Sequence, residues 1–183
     1  MSKFKIKWNS EKMVSLSAMS ISFITLLIFI YQTNIMRKQN DLSIMPYLDL
    51  SITNDVGSHT FELNLKNHGV GPAIIESVTM EYQNKKYNLV DFDNSLFQFI
   101  KTKNQALDSI QMVSTSTLDV GMAIPVNASY NVFRVSGSRK DFQLITTELN
   151  IMLEKGLKYE VVYKSIQGDR WKIYHNSEGP ERL

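Results

Sequence analysis

The first 45 residues and the rest of the chain follow two different hydrophobic patterns. Residues 13–36 carry no charged side chain, and 13–31 (MVSLSAMSISFITLLIFIY) are mostly apolar. As a helix this stretch is about 28 Å long, close to the ~30 Å hydrocarbon thickness of a bilayer. A cleaved signal peptide has a shorter apolar core and a small-residue cleavage site after it. The pattern therefore predicts an uncleaved transmembrane helix at 13–36 between a basic flank at 1–12 and a helical connector at 37–45.

One face of this helix carries small and hydroxyl side chains, namely Ser15, Ala18, Ser22 and Thr25. Such a seam lets helices approach closely and share hydrogen bonds inside the lipid bilayer. It predicts packing between copies of the helix and hence a homo-oligomer. In the alternative interpretation the hydroxyls bond back to the backbone of their own helix, which a single anchor also tolerates.

After Pro46 the apolar period changes from helical to two. Alternation predicts that Leu48, Leu50 and Ile52 point inward from one strand, and that TFELNLKN (60–67) buries its phenylalanine and both leucines. Further alternating runs follow at 73–82, 127–135, 157–165 and 170–176. About seven or eight short strands with one wet face predict an antiparallel, immunoglobulin-like β-sandwich over 46–176, with a loose tail at 177–183.

One accessory helix is predicted over 139–155, covering an edge or end of the sandwich. Ser138 and Asp141 are spaced as a capping box, and Gly156 suits the position after the last turn. Apolar residues share one face of this helix: Phe142, Ile145, Leu149 and Met152. The segment 94–104 (NSLFQFIKTKN) is predicted as a short helix or an irregular cover.

The segment NHGVGPA (67–73) raises the question of a phosphate-binding loop. A dinucleotide loop needs a third glycine where Ile74 stands, and both common phosphate loops lead into a helix rather than a β-branched strand. We therefore predict a structural turn formed by Asn67, Gly69, Gly71 and Pro72. In this interpretation the glycines supply positive φ, the proline fixes the exit and the asparagine bonds the turn backbone.

The charge distribution bears on partners and orientation. The net charge of +2 divides into +3 over 1–12, +1 over 37–46 and −2 over the other charged residues, so the main domain has no basic surplus for a nucleic acid duplex. Four lysines precede the span and two basic residues follow it. This favours an extracytoplasmic domain on the plasma (inner) membrane, with a cytoplasmic domain as the alternative.

Candidate catalytic chemistry is sparse in the sequence. The chain has no cysteine, and its histidines (His59, His68 and His175) stand in no metal-binding spacing and are predicted at the solvated surface. Asp91 and Asp93 begin no EF-hand, because Leu96 and Thr102 occupy positions that need glycine and glutamate. The sequence predicts no catalytic set, no metal and no cofactor, and it leaves the ligand-binding residues unknown.

The stretch LNLKNHGVGPAII (63–75) resembles the N-x-G-x-G-P-A signature of small bacterial single-pass membrane-anchored proteins of uncertain function. The connector at 37–50 and the closing hairpin at 159–173 are similar to those proteins too. Their soluble part is similar to bacterial immunoglobulin-like or fibronectin-like sandwiches, so the resemblance implies a fold and an anchor but no activity. The insertion at 91–116 and the helix at 139–155 depart from a minimal sandwich.

Together these features predict a membrane-anchored binding or sensor module rather than an enzyme. Its sandwich would recognise a protein or a small ligand, and rearrangement of the oligomer would carry the signal. One alternative is a membrane-disrupting effector, for example in antiphage defence, gated by a nucleotide messenger bound to a cytoplasmic sandwich. The other is a structural subunit of an envelope complex.

Overall fold

The structure, a computed structural model, describes residues 10–183 of the chain. The chain divides into two compact units, and the boundary along the sequence falls between Leu42 and Ser43. The predicted basic flank lies largely outside the described residues, as does Trp8. Each unit is described by itself below.

The first unit is formed by helix α1, Ser10–Ser43. At 1.5 Å per residue it is about 51 Å long, so it exceeds the thickness of a bilayer core. None of its residues is buried. By length and composition it is able to cross a membrane, a criterion that a signal sequence near an N-terminus also meets. The helix ends three residues before Pro46, as expected where a proline disfavours the α conformation of the residue before it.

The second unit is an antiparallel β-sandwich with two helices. Residues 43–183 contain ten strands rather than the predicted seven or eight, and the additional strands are only two or three residues long. The ten strands are β1 Leu48–Asp55, β2 Thr60–Asn67, β3 Ala73–Tyr82, β4 Lys85–Asn88, β5 Val113–Thr115, β6 Ala123–Ile124, β7 Ser129–Val135, β8 Lys158–Lys164, β9 Arg170–Tyr174 and β10 Glu181–Arg182. One sheet has the order β1-β2-β7-β5. The other has the order β10-β9-β8-β3-β4, with β6 also paired to β3.

A single hydrophobic core draws on both sheets. The period-two prediction for β2 is confirmed, since Phe61, Leu63 and Leu65 are all buried. The prediction for β1 is correct only for Leu48. Leu50 is half-buried and packs against the margin of the core, whereas Ile52 is 51% exposed, and both residues line a cavity.

Two helices belong to the sandwich unit. Helix α2 (Leu96–Lys103) lies between 3₁₀ turns at Leu89–Phe92 and Gln105–Ser109, and half of its residues are buried. The insertion at 91–116 therefore contributes to the core. Helix α3 (Arg139–Glu154) begins as predicted, since the Ser138 hydroxyl accepts a hydrogen bond from the Asp141 amide at 3.3 Å. Its predicted apolar face is buried.

The C-terminal tail is ordered by pairing, so the prediction of a loose tail is wrong. Strand β10 pairs with the free edge of β9, and Lys172 on β9 forms an ion pair with Glu181 at 3.1 Å. The amide of Leu183 adds a hydrogen bond to the Arg170 carbonyl. A two-residue strand carries no readable period, which is why the sequence did not indicate it.

Candidate functional site

The predicted turn at 67–73 is a junction of three backbone segments centred on Asn67, which is fully buried. Its side-chain amide nitrogen donates to the carbonyls of Gly71 (2.9 Å) and Ile124 (3.1 Å). Its amide oxygen accepts from the backbone N–H groups of Gly69 (2.9 Å) and Tyr47 (3.2 Å). One side chain thus holds together three segments, which are the turn itself, the residue before β1, and β6. Pro72 then leads directly into β3.

The reason for the two glycines differs from the prediction. Neither Gly69 nor Gly71 has a positive φ. A Cβ added at Gly69 would overlap the backbone of Met45 and Tyr47, and one added at Gly71 would overlap the carbonyl of Ile44. Close backbone approach, rather than turn conformation, therefore requires glycine at both positions.

The backbone amides of this junction have partners inside the chain. The N–H groups of residues 68, 70 and 71 donate to the carbonyls of Tyr47 or Met45, and that of Gly69 donates to the Asn67 side chain. A phosphate cradle needs free amides that point at the ligand. The junction therefore holds backbone segments together, and its bonded amides are not arranged to bind a phosphate.

The hydroxyl groups of the seam on α1 find hydrogen-bond partners within their own helix. The hydroxyls of Ser15, Ser22 and Thr25 donate to the carbonyls of Glu11, Ala18 and Ile21 at 2.8–2.9 Å. These are the back-bonds of the alternative interpretation, and they leave the small surface at Ala18 free for packing. Self-association of the helix stays a prediction.

The candidate metal ligands do not converge. Over residues 10–183, no three histidine, aspartate or glutamate side chains lie close enough together to hold a metal ion. Asp93 instead ends the 3₁₀ turn at Leu89–Phe92 in a left-handed conformation, with φ 53°. Asp91 lies inside that turn.

A cavity between the two sheets, at the end covered by α2 and α3, is the candidate site. Its volume is about 50 Å³. The walls are almost entirely aliphatic and aromatic, with contributions from β1, β2, β7, α2 and α3. Ile52 lies at the solvent side with half of its surface exposed, and Leu153 of α3 also lines the cavity. We refer to this space as the α3 cavity.

Two polar side chains line the α3 cavity, and each has a buried atom without a hydrogen-bond partner. These atoms are the Tyr159 hydroxyl and His175 Nδ1. The two residues are neighbours across β8 and the end of β9, since the His175 amide donates to the Tyr159 carbonyl at 3.2 Å. Among residues 10–183, two further buried polar atoms lack a partner, on Asn94 and Ser165, but neither residue lines this cavity.

Both polar groups of the cavity are uncharged at neutral pH. Burial raises the pKa of the Tyr159 phenol far above its usual range, and the residue is 4% exposed. Burial also lowers the pKa of His175, and the positive charge of Lys158 lowers it further. The two polar residues that line the cavity therefore add no charge to it at neutral pH.

An unpartnered buried hydroxyl opposes folding, which makes Tyr159 notable. Leaving a buried donor unsatisfied costs about 1–3 kcal/mol, and phenylalanine would fill the same space without that cost. Tyr163, four residues along β8, shows the usual solution: its hydroxyl accepts from the Leu48 amide at 3.3 Å. The Tyr159 hydroxyl is thus kept at the expense of stability, and its oxygen is enclosed by protein atoms.

Sequence reasoning missed this site. It predicted a solvated surface position for His175, but His175 is half-buried and its Nδ1 is fully buried. A signal was present in the alternation of β8, which turns Tyr159 and Tyr163 inward on a strand where each hydroxyl needs a partner. Which of the two has a partner depends on β1, a distant segment.

The chain was compared with protein-family models, with characterised proteins and with solved structures. No family model, characterised protein or solved structure matches the chain. The apolar N-terminal helix and the antiparallel two-sheet domain are features of the structure, whereas the likeness to immunoglobulin-like proteins rests only on the sequence resemblance described above.

Proposed function

We propose that this protein is a single-pass, membrane-anchored binding module whose immunoglobulin-like sandwich captures the apolar part of a small ligand in the α3 cavity. The observation that carries the proposal is the combination of an apolar cavity with two unpartnered polar atoms, on Tyr159 and His175. Small-molecule sites in proteins have this composition: mostly apolar walls with a few polar groups that fix orientation.

The cavity differs from an ordinary packing defect in its polar atoms. Protein interiors are close-packed, and buried polar groups nearly always have partners. Here an unfilled apolar space lies beside two buried polar atoms without partners, and the space itself is complementary to the apolar part of a ligand. Its walls are strands and helices, which hold a site more rigidly than loops do.

Access is available on the β1 side. Ile52 is 51% exposed and Leu50 is half-buried, although both sit on a strand whose pattern predicted full burial. A ligand seated in the cavity would cover these apolar side chains and gain about 25 cal/mol for each Å² removed from water. The exposure of Ile52 is consistent with this role.

The anchor supplies the second half of the proposal. Helix α1 exposes a continuous apolar surface that suits the hydrocarbon of a bilayer. Packing between copies along Ser15, Ala18, Ser22 and Thr25 gives the module a way to signal, if occupied and empty sandwiches favour different oligomers. The protein binds its ligand without converting it.

The proposal is tested by photolabelling the full chain in lipid nanodiscs with a short uncharged alkyl diazirine. Labelled positions are mapped by peptide mass spectrometry. We expect adducts on the cavity walls, and we expect Leu153→Trp to remove them because the indole fills the space. Asn150→Trp, on the exposed face of the same helix, is the matched control and should keep the adducts. Labelling that spreads evenly over the sandwich, or that survives Leu153→Trp, would refute a binding cavity at this position.

A further inference from the structure

We infer that two copies of the sandwich pair through the free edge of strand β1, with Leu50 of each copy opposite Ile52 of the other. The pairing joins two β1-β2-β7-β5 sheets into one antiparallel sheet. This inference goes beyond the proposed function and does not depend on a ligand in the α3 cavity. The strand that covers the edge is thus a second copy of this chain.

Strand β1 differs in length from the other strands at the ends of the two sheets. Among residues 10–183, those other end strands are β4, β5 and β10, which have two to four residues, whereas β1 has eight. β1 pairs with β2 without a bulge and contains no proline or lysine. Proteins usually protect an edge by a short strand, a bulge, a proline or a lysine, because unpaired backbone groups are a template for another strand. β1 therefore has the features of an edge that pairs.

Alternate residues of β1 turn their backbone groups to the open edge. The Tyr47 carbonyl accepts from the His68 amide at 2.7 Å, so the odd-numbered residues of β1 exchange hydrogen bonds with β2. The even-numbered residues point their N–H and C=O groups away from β2. The Leu48 amide has this direction, since it donates to the hydroxyl of Tyr163 on the other sheet. The even-numbered residues after Leu48 present their donors and acceptors at the open edge.

A second copy pairs with these groups when Leu50 faces Ile52 across a two-fold axis. Each such pair exchanges two hydrogen bonds, and the symmetry produces the pair twice. The pairing also covers apolar surface, since Leu50 is half-buried and Ile52 is 51% exposed, and both lie on the face that lines the α3 cavity. Apolar pairs across neighbouring strands stabilise an antiparallel sheet.

The other residues of β1 select this register. It sets Asp49 of one copy opposite Thr53 of the other. Moving the second copy by two residues in one direction would set Asp49 opposite Asp55, and like charges that face each other destabilise a sheet. Moving it by two residues in the other direction would require the Leu48 amide, which Tyr163 already binds.

Symmetry and the anchor favour a second copy over a strand from another protein. The edge is self-complementary, as a two-fold interface requires, because the same two residues donate and accept on both sides. Helix α1 is able to cross a membrane, and copies that share one bilayer have a raised local concentration. A short strand pairing that is weak between free proteins is then populated between neighbours in the membrane.

Disulfide cross-linking tests the pairing on the full chain in lipid vesicles, since the chain has no cysteine of its own. In the inferred register Ser51 of one copy faces Ser51 of the other in a non-hydrogen-bonded pair, where Cα atoms are about 4.5 Å apart, within the range of a disulfide. Position 53 lies on the same face and is more exposed, but its counterpart is about 14 Å away. Under mild oxidation we expect Ser51→Cys to give at least tenfold more disulfide dimer than the matched control Thr53→Cys.

A second pair of variants connects the cross-link to the edge. In the Ser51→Cys background, Ile52→Lys places a charge opposite Leu50 of the other copy and should reduce the dimer at least fivefold, because lysine protects an edge from pairing. Thr53→Lys adds the same charge on the other face, opposite Asp49 of the second copy, and should leave the dimer in place. Far-UV circular dichroism of both variants verifies that the sandwich is folded.

The outcomes decide the inference without involving the α3 cavity, which the alkyl diazirine tests separately. Equal cross-linking of Ser51→Cys and Thr53→Cys would overturn the pairing, as would a Ser51→Cys dimer that persists with Ile52→Lys. Stronger cross-linking of Thr53→Cys would overturn the register. In cell membranes, a Ser51→Cys adduct with another protein in place of the dimer would mean that a foreign strand covers the edge, which also overturns the inference.

Discussion

Replacing Tyr159 by phenylalanine should stabilise the ligand-free protein. The substitution removes one buried oxygen that has no hydrogen-bond partner and keeps the ring that packs in the core. Most core substitutions destabilise, so the expected sign is unusual. The expected sign follows from the missing hydrogen-bond partner of the Tyr159 hydroxyl.

The magnitude follows from the cost of an unsatisfied group. Relief of that cost contributes about 1–3 kcal/mol, and the small void left by the oxygen offsets part of it, so a net gain of about 1 kcal/mol is expected. Tyr163→Phe provides the comparison on the same strand. It removes the acceptor of the Leu48 amide and should cost about 1–3 kcal/mol, because that buried N–H loses its partner.

The assay is thermal unfolding of the full chain in nanodiscs, followed by the fluorescence of Trp171. This indole is buried and stacks on Tyr163 with 5.9 Å between ring centroids, so its emission reports on the sandwich. A Trp8→Phe background leaves it as the one tryptophan. For a unit of this size, 1 kcal/mol corresponds to about 4 °C in the midpoint. Tyr159→Phe should therefore raise the midpoint by about 4 °C, and Tyr163→Phe should lower it by at least as much.

The reasoning would be refuted by a Tyr159→Phe midpoint as low as that of Tyr163→Phe. Such a result would mean that the Tyr159 hydroxyl has a strong partner in the ligand-free protein.

Three further predictions concern the junction, the histidine and α3. Gly71→Ala should destabilise the sandwich by about 3 kcal/mol or more in chemical denaturation, since the added Cβ overlaps the backbone of Ile44. In the control Gly57→Ala the added Cβ meets only an exposed side-chain oxygen, so stability should change by less than about 1 kcal/mol. Because the pKa of His175 is lowered from 6.5, unfolding takes up a proton below that pH; stability should fall as the pH drops from about 7 to about 5, and less steeply in His175→Gln. Ser138→Ala removes the cap of α3 and should cost about 1 kcal/mol in the same measurement.

Each of these has a result that contradicts it. Similar stabilities of Gly71→Ala and Gly57→Ala would mean that the junction tolerates a side chain. Parallel pH profiles of the wild type and His175→Gln would show that this imidazole titrates alike in the folded and unfolded chains. An unchanged Ser138→Ala would mean that the hydroxyl cap is replaced by solvent.

Local patterns were sufficient for most elements. The alternation in TFELNLKN and the helical spacing on α3 each gave the correct element and the correct buried face. They succeed because side-chain direction follows a fixed period within one strand or helix. The short strands β5, β6 and β10 were missed or ambiguous, because two or three residues carry no period.

The candidate site depended on contacts between distant segments. His175 was expected at the surface, since nothing near it in the chain indicates that its Nδ1 is buried or that the residue lines a cavity together with β1 and α3. The two inward tyrosines of β8 are equivalent in the sequence. Only Tyr163 meets the Leu48 amide, a partner 115 residues away.

By itself the sequence determined an apolar N-terminal helix, a strand-rich domain after Pro46, and the burial of most faces, because these follow from composition and period. The tertiary structure alone decided why Gly69 and Gly71 are glycines and why the Tyr159 hydroxyl has no partner. Both depend on which backbone or side chain approaches from elsewhere in the chain, and the local pattern of residues does not contain that distance.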